Sequence, residues 1–280
     1  MKKFTKLLAL VLAMLMSVSL LAGCGDTASD DNGDTAETSP VLEKILSSGK
    51  LVVGTEAQYP PYEFKDIDAN FVGCDMFLAQ KIADKLGVEL EVVDMKFDGI
   101  IPAVQSGQCD LGIAAFTNTP ERAEVIDFSD LYETSQQLLI VAAGNADKYA
   151  TKEALKGLKV GSQKGTIQSQ LVTSALPDCE LFELDKYPAL ALEVQNGNIA
   201  GLVVDAAVGE SLVANSKGAL EVSNFAFSAE EASFGKSVVA AQGNDALLAV
   251  VDEVIASVLD DGSYQAAYDE AVKLAAEMGL

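Results

Sequence analysis

One arginine is available to this chain. Arg122 stands alone against 18 Lys, 42 Asp and Glu, and no His. A guanidinium is a planar fork of donors that matches a carboxylate with two parallel hydrogen bonds, which a flexible ammonium does not do. Arg122 follows Thr119-Pro120-Glu121, a capping residue and a proline suited to the first helical position. It therefore falls in the first turn of a helix, whose free N–H groups add to its attraction for an anion. Such an arrangement can hold a small carboxylate; a surface Arg paired with one of many acids is the equally simple alternative. Asp205 is the second residue of interest. It ends the apolar run Gly201-Leu202-Val203-Val204, at the C-terminal end of a strand, where open α/β sheets bind ligands. Its carboxylate can meet an ammonium there, or cap the helix from Ala206 onward, and the two roles are compatible.

Other chemistries are poorly supplied. Without His the commonest general base and the common hydrolytic triads are gone. The loop Gly161-Ser162-Gln163-Lys164-Gly165-Thr166 has a Lys and a Thr but not the phosphate-loop spacing, and no GxGxxG follows the first strand. No CxxC, His/Cys cluster or calcium-loop spacing occurs, so no metal or other cofactor is implied. Four Cys are present. With Cys24 set aside as a lipidation candidate, Cys74, Cys109 and Cys179 remain, an odd number. A Cys74-Cys109 bridge is open, but small buried hydrophobes are the simpler reading.

The elements that must position Arg122 and Asp205 alternate in type. Strands are expected over residues 51–54, 90–93 and 111–115, separated by helices over 75–86 and from Asp98 to about 107. After Gln137 come strands 138–142, 158–160, 181–184 and 201–204, with helices capped by Thr151 and over 167–175 and 187–195. Helices 244–259 and 263–278 close the chain. This order implies an α/β protein built on largely parallel sheets. Two units are expected, with the chain crossing between them in 127–137 and 228–235.

The N-terminus has its own pattern. Lys2, Lys3 and Lys6 precede an apolar stretch to Ala22, which reads as an export leader shorter than a membrane span. Leu21-Ala22-Gly23-Cys24 resembles a bacterial lipoprotein signal, which implies cleavage before Cys24 and lipid on its thiol. Residues 24–40 are mostly Gly, Asp, Ser, Thr and Ala and are expected to be a flexible tether. Residues 1–23 carry three Lys and no acid, so the net charge of −23 becomes −26 without them. A surface this acidic repels nucleic acid and anionic lipid.

A series of strings extends the argument by resemblance. Gly54-Thr55-Glu56-Ala57-Gln58-Tyr59-Pro60-Pro61-Tyr62-Glu63, Val72-Gly73-Cys74-Asp75, Phe97-Asp98-Gly99-Ile100-Ile101-Pro102, Asp110-Leu111-Gly112, Thr119-Pro120-Glu121-Arg122 and Ile126-Asp127-Phe128-Ser129 resemble, in order and spacing, the periplasmic solute-binding proteins of polar amino-acid uptake systems. These are the glutamine-, histidine- or arginine-binding type. The resemblance implies a two-lobed periplasmic-binding-protein fold: two mostly parallel sheets flanked by helices, with a ligand cleft between lobes. Lobe one would comprise 41–131 plus 235–280 and lobe two 137–229, with hinge crossings at 132–136 and 230–234.

By the same likeness Tyr59 and Phe97 are aromatics over the ligand. Arg122 clamps its carboxylate beside Thr117 and the backbone of Ala115, Thr166 completes the carboxylate contacts, and Asp205 takes the α-ammonium. Glu56, Gln163 and Gln168 would meet the ligand side chain. A polar amino acid is implied, glutamine and the basic amino acids leading. Cys74 stands where the family usually has an aromatic, and Val204 and Ile167 would leave two edges of the pocket apolar. The implied protein is no enzyme but a monomer, lipid-anchored on the extracytoplasmic face of a bacterial membrane, handing a free amino acid to an ABC permease and ATPase. Some proteins of this fold dehydrate small carboxylates; the lack of His and the Arg122/Asp205 pairing argue against that here. A receptor-facing sensory role is not separable by sequence.

Overall fold

The computed structural model describes residues 39–280. The expected leader, Cys24 and the tether up to residue 38 lie outside the described residues. The body begins earlier than the expected end of that tether. Helix α1 (Pro40–Ser48) takes Pro40 as its first residue, and the Ser39 hydroxyl accepts the Leu42 N–H at 3.1 Å.

The elements that follow are β1 (Lys50–Thr55), β2 (Gln58–Tyr59), β3 (Glu63–Lys65), β4 (Phe71–Val72), α2 (Cys74–Leu86), β5 (Glu89–Asp94), α3 (Phe97–Gln105), β6 (Leu111–Thr117), α4 (Pro120–Ala123) and β7 (Asp127–Phe128). Then come β8 (Glu133–Ala142), α5 (Lys152–Leu155), β9 (Lys159–Gln163), α6 (Ile167–Ala175), β10 (Glu180–Leu184), α7 (Tyr187–Gln195), β11 (Gly201–Asp205), α8 (Ala206–Asn215) and β12 (Leu220–Val222). The last are α9 (Ala229–Ala232), β13 (Ser233–Ala240), α10 (Asp245–Asp260) and α11 (Ser263–Met278).

The molecule is a two-lobed α/β protein, but its sheets are mixed rather than mostly parallel. In one lobe β5, β1 and β6 run parallel and β13 joins β6 antiparallel. In the other, β10, β9 and β11 run parallel, and β8 joins β11 antiparallel, with β12 outside it. The reason is the path of the chain. β8 carries it out to the second lobe and β13 carries it back, so each opposes its neighbours. They pair with each other through Glu133–Gln136 and Ser233–Lys236. Residues 229–232 form α9, directly before the returning strand. A small sheet, β2-β3-β4, folds the Tyr-Pro-Pro-Tyr-Glu loop onto the first lobe.

Apolar spacing places the helices. In α2, Leu78, Ala79, Ile82 and Ala83 are fully buried, one face of a 3.6-residue period. They meet Leu247, Val251 and Tyr264 of α10 and α11 in one core. Cys74, Cys109 and Cys179 are free thiols, and the first two are buried. Cys74 packs in this core against Tyr264. Val204 is also fully buried in the core and lines no cleft, contrary to the expectation that it edges the pocket; strand alternation leaves Asp205 at the cleft. Among the described residues no helix is long and apolar enough to cross a membrane.

Candidate functional site

Four strand ends converge on one cavity. Glu56 follows the end of β1, Thr117 ends β6, Gln163 ends β9 and Asp205 ends β11. All four are C-terminal ends, where the loops leaving a parallel sheet expose N–H groups and side chains to a common crevice. The cavity holds about 400 Å³ of atom-free space, partly continuous with solvent. Its lining contains all ten residues expected to touch the ligand, though not Val204: Glu56, Tyr59, Phe97, Ala115, Thr117 and Arg122 from one lobe, and Gln163, Thr166, Gln168 and Asp205 from the other. Glu63, Ala114 and Ile167 complete it.

Arg122 is built into its wall. Thr119 caps α4, its hydroxyl accepting the Arg122 N–H at 3.2 Å. The guanidinium donates from Nη1 to the Thr117 carbonyl at 2.9 Å and from Nη2 across the cleft to the Gly165 carbonyl at 3.1 Å. Its carbon lies 5.5 Å from the ring centres of Phe97 and Phe116, which stack on each other at 4.7 Å. None of the ion pairs among the described residues includes Arg122. Burial pulls its pKa down to about 10, still cationic at neutral pH. Its partners are thus two carbonyl oxygens and two aromatic rings, and the guanidinium fork retains donors of the kind that bind a carboxylate. Beside it Ala115 has φ +48°, a strained left-handed backbone for a residue with a Cβ; its N–H donates to Asp75 Oδ2 at 2.8 Å.

Asp205 makes the helix cap that the sequence offered, and it has further partners within the protein. Its Oδ1 accepts from Ala207 N–H at 3.1 Å, capping α8, and from the Tyr62 hydroxyl at 3.3 Å. Its Oδ2 accepts from the Ser135 hydroxyl and pairs with Lys236 Nζ at 3.1 Å. Lys236 also holds Glu133 Oε1 at 3.0 Å and lies 4.4 Å from the centre of the Tyr62 ring. Burial alone would lower the Lys236 pKa, but Asp205 and Glu133 outweigh it and raise it above the ordinary lysine value. Of the contacts to Asp205, that from Tyr62 is the longest, because this hydroxyl makes its short bond, 2.6 Å, to Glu133.

Sequence reasoning missed Lys236, Glu133, Ser135 and Tyr62 as a group, and also Glu63. A partial signal for Lys236 existed: it heads the apolar run Ser237-Val238-Val239-Ala240-Ala241, and a Lys drawn into the core with such a strand needs a partner. Glu63 could have been placed from the hairpin, since it pairs directly with Tyr59.

The rest of the lining is polar and acidic. Glu56 is 4% exposed, and burial raises its pKa to about 7, with Gln163 and Lys186 opposing. The Gln163 amide donates to the Asp185 carbonyl at 2.8 Å and the Gln168 amide to Gln137 Oε1 at 2.7 Å. Thr166 caps α6 through Ser169 N–H at 3.3 Å and donates to the Gln163 carbonyl at 2.7 Å. Tyr59 faces Tyr187 across the cleft at 5.4 Å between ring centres. At the mouth, Lys96 pairs with Asp185 at 2.7 Å and Lys164 with Asp98 at 3.0 Å. Gly165 has φ +77°, and a Cβ there would lie 2.9 Å from Asp98 Cβ. The two lobes meet around the cavity.

Comparison with known proteins bears on this arrangement. Residues 51–273 match the family model described as bacterial extracellular solute-binding proteins, family 3. The L-cystine-binding protein TcyJ of Escherichia coli (strain K12) is 31% identical over 252 residues, 90% of this chain and 91% of that protein. The arginine-binding extracellular protein ArtP of Bacillus subtilis (strain 168) is 45% identical over 121 residues, 43% of this chain and 46% of that one. Among solved structures, the substrate-binding protein AbpA of an amino acid ABC transporter from Streptococcus pneumoniae Canada MDR_19A, bound to L-arginine, superposes with TM-score 0.80. It has 32% identity, with 83% of this chain and 98% of that one covered.

Proposed function

Because the chain belongs to the bacterial extracellular solute-binding proteins, family 3, we propose that it captures a free polar L-amino acid in the cleft and delivers it, chemically unchanged, to the permease and ATPase of an ABC importer. One observation carries the reading. The only arginine of the chain lines the cleft without an acid partner among the described residues, and the acids Asp205, Glu56 and Glu63 line the same cavity. A zwitterion is costly to take from water unless both its charges are met. Arg122 answers the carboxylate, with Thr117, Thr166 and the Ala115 backbone beside it. Asp205 answers the α-ammonium at Oδ1, with Tyr59 and Phe97 covering the apolar part. Because these groups come from both lobes, one ligand favours closure about the crossings at 133–136 and 233–236.

Glu56 and Glu63 are acids beyond those a zwitterion needs. They favour a ligand with a second cation, a basic amino acid, over glutamine. One similar protein is named for binding arginine and another has L-arginine bound in its solved structure, in keeping with that preference. Lipid attachment at Cys24 belongs to the same proposal and would hold the binding protein at the extracytoplasmic face of the membrane; a thiol-linked acyl mass on the N-terminal peptide tests it.

A thermal-shift screen of the free amino acids tests the main reading, on protein stripped of ligand by unfolding and refolding. A ligand at a hundred times its Kd adds about 2.7 kcal/mol, which for a body of this size is about 5–10 °C. A shift of that order with L-arginine, L-lysine or L-glutamine is expected. No shift with any standard amino acid would overturn the proposal.

A further inference from the structure

At the floor of the cleft two acids share a problem that only a proton solves. Glu63, on β3, is 1% exposed and Asp75, in the first turn of α2, is fully buried. Asp75 Oδ2 is satisfied by Ala115 N–H at 2.8 Å and the Tyr132 hydroxyl at 3.0 Å. Its Oδ1 has no donor, and neither has Glu63 Oε2. Asp75 lies near enough to push the Glu63 carboxyl up by like charge. As two carboxylates they would be acceptors facing each other in a dry site, an arrangement that like charges cannot sustain. One proton between them turns one group into a donor and satisfies both.

The surroundings offer no other remedy. The groups acting on the pair from neighbouring elements are Glu56, Glu133, Cys74, Tyr132, Tyr264 and Lys236. Lys236, the one cation among them, is already held by Glu133 and Asp205. Burial, then Asp75 and Glu56, push the Glu63 carboxyl well above the usual range. Burial raises Asp75 only to about 6, since Ala115 N–H and Tyr132 stabilise its anion. Asp75 Oδ2 has two donors to stabilise its anion while Glu63 Oε2 has none, so the proton resides on Glu63, the member of the pair that lines the cleft.

We propose that Glu63 is a further ligand-binding residue, a carboxyl that gives up the proton it shares with Asp75 when the cationic group of a ligand arrives beside it, so that one proton leaves the protein for each ligand bound. The O–H bond of the Glu63 carboxyl breaks heterolytically and the proton passes to solvent. The ligand cation keeps all its own protons and ends beside a carboxylate; nothing is oxidised or reduced. The neutral acid spares the empty cleft one more buried negative charge beside Glu56 and Asp205. Through Asp75 the change reaches Ala115, the strained residue next to Arg122, which ties the acid end of the site to the carboxylate end. The inference rests on the reading of the cleft as an amino-acid site.

The test is calorimetric titration of L-arginine and of L-glutamine into the full mature chain at pH 8, in phosphate and in Tris, whose protonation enthalpies differ. At that pH Glu56, with a pKa of about 7, is already mostly ionised and contributes about a tenth of a proton. The wild type is expected to release close to one proton per L-arginine bound and close to none per L-glutamine, whose single cation meets Asp205; Glu63→Gln should release close to none with either and bind L-arginine more weakly. Should Glu63→Gln not fold, the infrared difference spectrum of the wild type decides: the carbonyl band of a protonated carboxyl must be lost when L-arginine is added. Binding of L-arginine without proton release, full release in Glu63→Gln, or an unchanged carboxyl band would overturn the inference and leave the proposed function standing. Failure of both amino acids to bind would overturn the inference together with the reading beneath it.

Discussion

Lys236 Nζ lies 3.1 Å from Asp205 Oδ2, so the acid best placed for a ligand ammonium already has an ammonium of the protein beside it. The same nitrogen pairs with Glu133 at 3.0 Å. Lys236 comes from β13, Asp205 from β11 and Glu133 from β8, so the cluster joins the returning strand to the outgoing strand and to the second lobe. Two carboxylates share one cation, which leaves a net negative charge for a ligand to neutralise.

Lys236→Met should destabilise the protein by about 3–5 kcal/mol, because removing one partner of a buried ion cluster leaves charge uncompensated. Asp205 is 3% exposed and Lys236 2%, so solvent cannot make up the loss. Urea unfolding of ligand-free protein at pH 7 measures it; a change within 0.5 kcal/mol would show that the cluster is replaceable.

Arg122→Ala should weaken binding at least tenfold for every amino acid the protein takes, since the carboxylate is common to all of them. Stability without ligand should hold or rise, because a desolvated cation resting on two carbonyls is removed. Arg122→Lys should also lose affinity, for an ammonium has no planar fork. Isothermal titration and melting curves on the same preparations separate the two effects.

Glu56 sets a pH dependence whose sign follows from its raised pKa. The unfolded carboxyl titrates near 4.5 and the buried one at about 7. Between these values the folded state holds more protons than the unfolded, so this group's contribution to stability falls as pH rises from about 4.5 to 7 and is level above. Relative to wild type, Glu56→Gln should gain stability from pH 5 to pH 8. Melting of stripped proteins across this range checks it; a constant difference would place Glu56 in water.

Gly73→Ala should be costly. Gly73 precedes α2 with φ +119°, and a Cβ there would stand 2.1 Å from the Tyr62 carbonyl oxygen. The Cys74 and Asp75 N–H groups bind the Pro61 and Tyr62 carbonyls at 3.2 and 3.0 Å, so the loop cannot yield without disturbing Tyr62 and Glu63. A loss of about 2 kcal/mol or more is expected, together with weaker binding. Normal affinity in a folded Gly73→Ala protein would contradict this.

Much of the fold was legible because it rests on local signals. Helices 167–175 and 187–195 run over the residues expected, set by Thr166 and by Tyr187-Pro188 at their starts. β13 was not expected because Gly235 and Lys236 stand ahead of its short apolar run, and the partners that make the buried Lys tolerable, Glu133 and Asp205, are distant in sequence. The mixed sheets escaped notice because strand direction depends on how the chain crosses between lobes. Of the ten residues expected to touch the ligand, all of which line one cavity, Arg122 and Asp205 were marked locally by a capped first turn and a strand end; the other eight came from the resemblance alone. The Glu63–Asp75 pair was invisible, because nothing in a sequence says that two acids will be buried face to face.

The central claim is that Arg122 holds the carboxylate of a zwitterion whose cationic groups meet the acids of the cleft. Titration of L-arginine and of agmatine, the same molecule without its carboxylate, into wild type and Arg122→Ala tests it most directly. The account predicts that the wild type prefers L-arginine at least tenfold and that Arg122→Ala binds the two alike. Equal affinity of the wild type for both, or an undiminished preference in Arg122→Ala, would contradict it.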